Sequence, residues 1–344
     1  MQILENIPLA PYTTLGVGGP AKFFSAARTA EELADLFGWA KSSLENVFIL
    51  GGGSNILVSD AGFEGVVIKI EVEGVEFEND GDAVVLTVGA GEDWDGFVTK
   101  CVDRELAGVE CLSGIPGTVG GTPVQNVGAY GQEVSESIVS VRCFDRAAGA
   151  IIELSNEECG FEYRKSIFNT SNRDRYVVLS VGYRLVKGGD PKIAYKDLQQ
   201  RFAGRVPSLK ETREAVISIR REKSMVIDAA DPNSRSAGSF FKNPIVSSSV
   251  ADSIAEELEL DRIPQFAAGA ESVKIPAAWL IEQAGFTKGF ALGNAGISAN
   301  HSLAIINRGS ATAAEIVALK DLIQKTILDK FGISLQPEPI FVGF

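Results

Sequence analysis

The 344-residue chain exceeds a single typical core and predicts two or three domains, with the 45% hydrophobic content of a globular protein. Acidic residues outnumber basic ones 45 to 32, giving a net charge of −13 with no Lys/Arg run. Nucleic acid and anionic membrane are therefore poor partner candidates, and an anionic ligand must be met by local cations against the overall field.

One histidine and four irregularly spaced cysteines (Cys101, Cys111, Cys143, Cys159) leave no metal-ligand pattern, so no metal is expected and the cysteines read as buried thiols. The amino terminus, Met1-Gln-Ile-Leu-Glu-Asn-Ile-Pro8, has no basic region and no apolar stretch, so no signal peptide is expected. No run approaches the ~20 apolar residues of a membrane span. A soluble, cytoplasmic protein is expected.

Thr29-Ala-Glu-Glu32 is a capping box, and Leu33, Leu36, Phe37 and Ala40 follow at helical spacing, predicting a helix over 30–42. Apolar runs predict strands at 47–50, 56–58, 65–70 and 84–88. Between the first two stands Gly51-Gly52-Gly53-Ser54-Asn55. Three consecutive glycines are conformationally expensive and useful where a ligand must approach the main chain. Successive N–H groups can then face one concavity and hold an anion such as a diphosphate. A strand follows rather than a helix, and no G-K-[ST] is present, so neither the dinucleotide fingerprint nor the phosphate loop of a kinase fits.

Trp94, Phe97, Val98, Cys101 and Val102 predict a second helix. Residues 113–131 hold six glycines and two prolines among nineteen, a density that suits a long loop wrapped around an extended polar ligand. Strands are expected at 140–144 and 176–185. Composition shifts over 186–212, where a domain boundary is placed. Helices are predicted at 211–221 and at 277–284, the latter led by Pro276 at the first helical position and closed by Gly285. Thr312-Ala-Ala-Glu315 is a further capping box opening a long helix with Ile316, Leu319, Leu322, Ile323 and Ile327 on one face, stopped by Gly332. The pattern is α+β.

Seven motifs in this order and spacing resemble one family. They are Tyr12-Thr-Thr-Leu-Gly-Val-Gly-Gly, Gly51-Gly-Gly-Ser-Asn, Ile115-Pro-Gly-Thr-Val-Gly-Gly, Gln125-Asn-Val-Gly-Ala-Tyr-Gly, Tyr163-Arg-Lys-Ser-Ile-Phe, Gly238-Ser-Phe-Phe-Lys-Asn-Pro and Gln336-Pro-Glu-Pro. The chain is similar to vanillyl-alcohol-oxidase-type FAD-binding proteins and, among them, to the UDP-N-acetylenolpyruvoylglucosamine reductases of peptidoglycan precursor synthesis. The resemblance implies an FAD-binding domain in two α+β subdomains (1–70 and 71–210) and a C-terminal α+β substrate-binding domain (211–344). It implies that NADPH reduces a bound FAD, and that the enolpyruvyl UDP-sugar then takes a hydride at its terminal methylene carbon and a proton at the carbon beside its carboxylate. A monomer is expected.

The resemblance nominates Gly51, Gly52, Gly53, Ser54, Asn55, Ser113, Pro116, Gly117, Thr118, Gly120, Gly121, Gln125, Asn126, Gly128, Ala129 and Tyr130 for FAD. It nominates Tyr163, Tyr195, Lys223, Asn243 and His301 for the substrate. Arg164 is the candidate to meet the developing charge on the substrate carboxylate, which a fixed guanidinium can do bidentately. Ser239 is the candidate proton donor, adequate because an enolate carbon is a strong base. Glu338, between prolines, either carries a proton or faces an intervening cation, since two carboxylates side by side repel. No histidine precedes His301, so noncovalent FAD is expected. Two other readings share part of this pattern. An oxidase of the same superfamily would act on a neutral alcohol or sugar. A non-catalytic flavin- or nucleotide-sugar-binding protein would not need Arg164, Ser239 and Glu338 together.

Overall fold

Local signals set most element starts in the computed structural model, which describes residues 2–344. In chain order its first elements are β1 (Leu4–Pro8), β2 (Pro20–Ala27), α1 (Ala30–Ser42), β3 (Val47–Leu50), β4 (Ile56–Val58), β5 (Phe63–Ile70), β6 (Val75–Asp80), β7 (Ala83–Gly89) and α2 (Trp94–Asp103). The later helices are α3 (Lys196–Phe202), α4 (Leu209–Glu222), α5 (Ser248–Glu257), α6 (Ala277–Gln283) and α7 (Ala313–Phe331). The Thr29 hydroxyl accepts the Glu32 N–H and starts α1; Thr312 and Glu315 form the reciprocal box that starts α7.

The chain divides into two compact units. The first holds residues 1–7, 21–53 and 63–226; the second holds 8–20, 54–62 and 227–344. In the first unit, a sheet of order β1-β2-β5-β3 pairs β5 in parallel with β2 and β3. A second, antiparallel sheet runs Ala150–Ser155, Ile138–Asp145, Tyr176–Lys187, β7, β6. Its long strand, residues 176–187, buries almost every side chain of its first eight, so it reads as continuous apolar sequence rather than alternation. Trp94, Phe97 and Tyr183 meet at ring-centroid distances of 5.1–6.0 Å and are all buried. This cluster also fixes the glycine-rich loop. Trp94 Nε1 donates to the Leu112 carbonyl at 3.0 Å, and the Tyr183 hydroxyl lies 2.9 Å from Thr122 Oγ1. The stretch 186–212 lies within this unit, where Leu198 and Phe202 of α3 pack with Cys111, Ala215, Val216 and Ile219.

In the second unit α5, α6 and α7 pack on short strands, including a sheet of Ala291–Leu292, Ala295–Ile297 and Ile305–Asn307. β4 pairs in parallel with Ile340–Val342, which brings the carboxy-terminal strand beside the residues that follow the triple glycine. Two expectations shift here. Leu322 is 39% exposed, because the buried stripe of α7 runs through Ile316, Leu319, Ile323 and Ile327, and residue 322 stands about 100° off it. Pro276 stands one residue earlier than expected, at the N-cap, where Asn243 Oδ1 takes the Ala277 N–H at 2.8 Å.

Candidate active site

The triple glycine lies where two loops of the first unit press main chain against main chain. A Cβ on Gly52 would fall 2.5 Å from Gly117 Cα, and one on Gly51 would fall 3.0 Å from Thr118 Oγ1. Gly53 has φ +62°, in the left-handed region. The first three residues of Gly51–Asn55 thus belong to this cradle. Ser54 and Asn55 belong to the second unit, where Asn55 Nδ2 donates to the main-chain carbonyl of Glu338 (3.2 Å) and the Ile340 N–H donates to the Asn55 carbonyl (3.0 Å).

Several predicted residues of the long loop hold the loop itself. Buried Ser113 donates its hydroxyl to the Glu110 carbonyl at 2.6 Å. The N–H groups of Gly120 and Gly121 go to the carbonyls of Ala90 and Thr118. Asn126, buried with φ +45°, donates Nδ2 to Glu133 Oε2 and to the Glu162 carbonyl and accepts the Ser135 N–H. Gly128 and Ala129 form a two-residue ladder with Glu133 and Gln132, closed by Tyr130 and Gly131 with φ +50° and +82°. Two positive φ values in a two-residue hairpin are the type I′ signature.

Arg164 sits at the tip of a tight turn. Glu162 and Lys165 exchange both main-chain hydrogen bonds (3.0 and 3.1 Å), and Arg164 has φ +55°. A positive φ at the second central residue is the type II geometry that normally selects glycine. Its guanidinium lies over the Tyr163 ring at 5.3 Å and donates Nη2 to the Gly128 carbonyl at 2.7 Å. A Cβ on Gly128 would lie 3.2 Å from Arg164 Nη1, so glycine there leaves room for the fork. Arg164 and the 126–130 hairpin are thereby one assembly.

A second cationic corner lies in the same unit. Tyr130 and Tyr195 meet edge to face at 5.4 Å, and Lys223 Nζ pairs with Asp197 at 2.9 Å. Burial pulls the Lys223 ammonium pKa down, but the Asp197 hydrogen bond and the nearby Tyr130, Asp197 and Tyr195 outweigh it and the net shift is upward. Sequence reading missed Arg220, one turn before Lys223. It is buried, donates Nη2 to the Met225 carbonyl at 2.7 Å and has no partner for Nε among the described residues. Its i,i+3 spacing from Lys223 was the available signal. A cleft of about 570 Å³ lined by Asp103, Arg213, Ile217, Arg221 and Glu222 includes none of the predicted residues.

In the second unit, chain pairing brings Ser239 and Glu338 onto adjoining segments. The Glu338 N–H donates to the Phe240 carbonyl (2.9 Å), Lys242 N–H to the Gln336 carbonyl (2.9 Å), and Phe241 bridges Pro337. Buried Phe240 and Phe241 anchor this pairing, while Ser239 and Glu338 remain half-buried. Gly238, at φ +77°, supplies the bend before Ser239. Phe240 also donates its N–H to the Leu303 carbonyl, and His301 Nδ1 accepts the Leu303 N–H at 3.2 Å, so His301 shares this neighbourhood. Asn243 is engaged as the cap of α6.

Residues 231–342 match the family model for the UDP-N-acetylenolpyruvoylglucosamine reductase C-terminal domain, and residues 21–155 match that of an FAD binding domain. The UDP-N-acetylenolpyruvoylglucosamine reductase of Thermobifida fusca is 46% identical, the match covering 98% of each chain. The chain belongs to the UDP-N-acetylenolpyruvoylglucosamine reductase family. The homologue from Saccharopolyspora erythraea is also 46% identical, over 97% of this chain and 94% of its own. A solved reductase of this family, from Thermus caldophilus, superposes with a TM-score of 0.68 at 26% identity, over 99% of this chain and 98% of that one.

The family's flavin nucleotide fits the residues present. The contact of Gly52 with Gly117 is a cradle that any Cβ would fill, and the paired residues Gly128 and Ala129 add little side-chain bulk, the Tyr130 ring being taken up by Tyr195. All four cysteines are buried and unpaired by disulfides, and burial pushes the Cys101 and Cys159 thiols up to about 12. No helix of the described residues is long and apolar enough to cross a membrane.

Proposed function

We propose that this chain reduces UDP-N-acetylglucosamine enolpyruvate to UDP-N-acetylmuramate at the expense of NADPH, in the cytoplasmic assembly of peptidoglycan precursors. The observation that carries the reading is the 46% identity running through 98% of both chains, with the Arg164, Ser239 and Glu338 motifs intact. Noncovalently bound FAD, held by the glycine-rich loops around Gly52 and Gly117, would supply hydride chemistry between NADPH and the terminal methylene carbon of the enol ether. Buried, high-pKa cysteines and the lack of any histidine before residue 301 support noncovalent attachment.

The chain's own residues then manage charge and one proton. Hydride addition leaves the carbon beside the substrate carboxylate with carbanion character, delocalised onto that carboxylate. Arg164, immobilised by the Tyr163 ring and the Gly128 carbonyl, meets this charge without reorganising. Ser239 delivers the proton to the carbon. Glu338, fixed through its main chain, polarises the intermediate or supplies the proton to the serine side. Tyr195 and Lys223 take the nucleotide-diphosphate end, with Tyr163, Asn243 and His301 lining the sugar and enolpyruvyl portion.

The test is a two-stage spectrum. Purified enzyme should show bound-flavin absorbance that bleaches with anaerobic NADPH and returns when the enolpyruvyl UDP-sugar is added. In Ser239→Ala, bleaching should proceed at the parental rate while recovery slows about 10²-fold or more. Recovery at the parental rate would remove Ser239 as the donor, and recovery with oxygen alone would favour an oxidase.

A further inference from the structure

Asp95 lies in the first turn of α2 and holds the start of the glycine-rich loop. Its Oδ1 accepts the Gly114 N–H at 2.5 Å and Arg213 Nη1 at 2.6 Å; its Oδ2 accepts Arg213 Nη2 at 2.7 Å. Gly114 has φ +71°, and a Cβ there would lie 2.6 Å from Ile217 Cδ1 on α4, so the loop's first glycine is packed down on the helix that carries Arg213. The same end of α2 holds the rest of the loop through the Trp94 N–H to the Gly117 carbonyl (3.1 Å) and the bridge between Asp93 and Thr118. Gly117 is the residue whose Cα faces Gly52.

We propose that Asp95, held by Arg213, is a positioning residue for the cofactor: it sets the height of residues 114–118 against the triple glycine and so fixes the width of the FAD cradle. The inference rests on the assignment of these two loops to FAD. A carboxylate is required because three donors converge on two oxygens, and a charge-assisted fork is geometrically specific. Burial pulls the Asp95 carboxyl pKa up, yet Arg213 and the Gly114 N–H outweigh it and hold it below its usual range, so it is ionised at neutral pH. An asparagine has one acceptor oxygen. Whichever way its amide is turned, an NH2 group faces Arg213 or the Gly114 N–H, donor against donor.

The experiment uses the full chain, stripped of FAD and titrated with it, with flavin fluorescence and visible circular dichroism as readouts. Asp95→Asn should raise the FAD dissociation constant at least about tenfold, roughly 1.4 kcal/mol, and change the flavin dichroism. Arg213→Met should do the same, and Arg213→Lys, which keeps the charge and loses the fork, should fall between. A merely structural pair would lower the melting temperature of the apoprotein and leave both flavin readouts unchanged. FAD affinity within about twofold of the parent with parental dichroism in Asp95→Asn would overturn the proposal; if that variant does not fold, the same outcome in Arg213→Met overturns it. Gly52→Ala, which must displace Gly117, is the control. If it loses FAD while the Asp95 and Arg213 variants keep it, the positioning role alone is wrong. If it binds FAD normally, the loop assignment fails and the proposal with it.

Discussion

Arg164 is an arginine at a backbone position that suits glycine. A left-handed conformation costs an L-residue about 1–2 kcal/mol relative to glycine, and here it is held by the Glu162–Lys165 pair and by the guanidinium's own contacts. Strain retained at a residue of this chemistry is consistent with a functional demand for that side chain. Arg164→Gly should therefore be more stable than Arg164→Ala by about 1 kcal/mol in chemical denaturation, reversing the usual order. Both variants lose the fork, and turnover of the enol ether should fall about 10²–10³-fold in each. An alanine variant that is the more stable of the two would show that the turn holds no strain. The sequence context singled out Arg164. Its acceptors were illegible, because they are main-chain carbonyls of Gly128 and Asn126, 36 and 38 residues away. A carbonyl partner leaves no mark in side-chain identity, and the same holds for the Glu338 main chain on Asn55 and Phe240.

The helices α1 and α7 were readable because their starting signals are local, and both begin at the expected residues; of the two, only α7 has the full box, since Glu32 of α1 accepts the Arg28 N–H rather than that of Thr29. Even α4 carries such a box, Ser208 with Glu211, which moves its start two residues ahead of the expected 211. α5 escaped because Ser247-Ser248-Ser249 reads as loop, and the second unit's strands of two or three residues are too short to show a period. The α4 box also gives a pH prediction. Arg205, the Ser208 N–H and the Ser208 hydroxyl hold the Glu211 carboxyl down to about 2. A carboxyl depressed in the folded state contributes stability above its unfolded pKa near 4.5, and that contribution is lost as pH falls from there toward 2. Glu211→Gln should thus melt below the parent at pH 7, with the gap closing across that window. A melting-temperature difference that stays constant from pH 7 to pH 2 would show that the charge contributes nothing.

At the scale of the molecule, the chain joins the second unit twice in passing, at residues 8–20 and 54–62, before entering it finally at Ile227. One of those passages falls inside the glycine loop, between Gly53 and Ser54, where composition does not change, so a sequence reading has nothing there to mark it. Charge, by contrast, is legible in full from composition. With a net charge of −13, the protein repels a ligand that bears a diphosphate and a carboxylate, and in the proposed assignment Lys223 and Arg164 would act only at short range. The two effects differ in reach. At about 0.01 M salt the screening length is about 30 Å, and at 0.1 M it is about 10 Å, so salt removes the distant repulsion before it weakens contacts made at hydrogen-bond distance. The association rate of the enolpyruvyl UDP-sugar, followed by stopped-flow perturbation of the flavin absorbance, should therefore rise about twofold or more between 10 and 100 mM salt. Lys223→Gln should bind more slowly at both salts while keeping the same upward trend, because it removes the local attraction and leaves the global field. A rate that falls with salt in the parent would mean that the local cations steer the ligand from a distance, and that the overall charge has no say in how the substrate arrives.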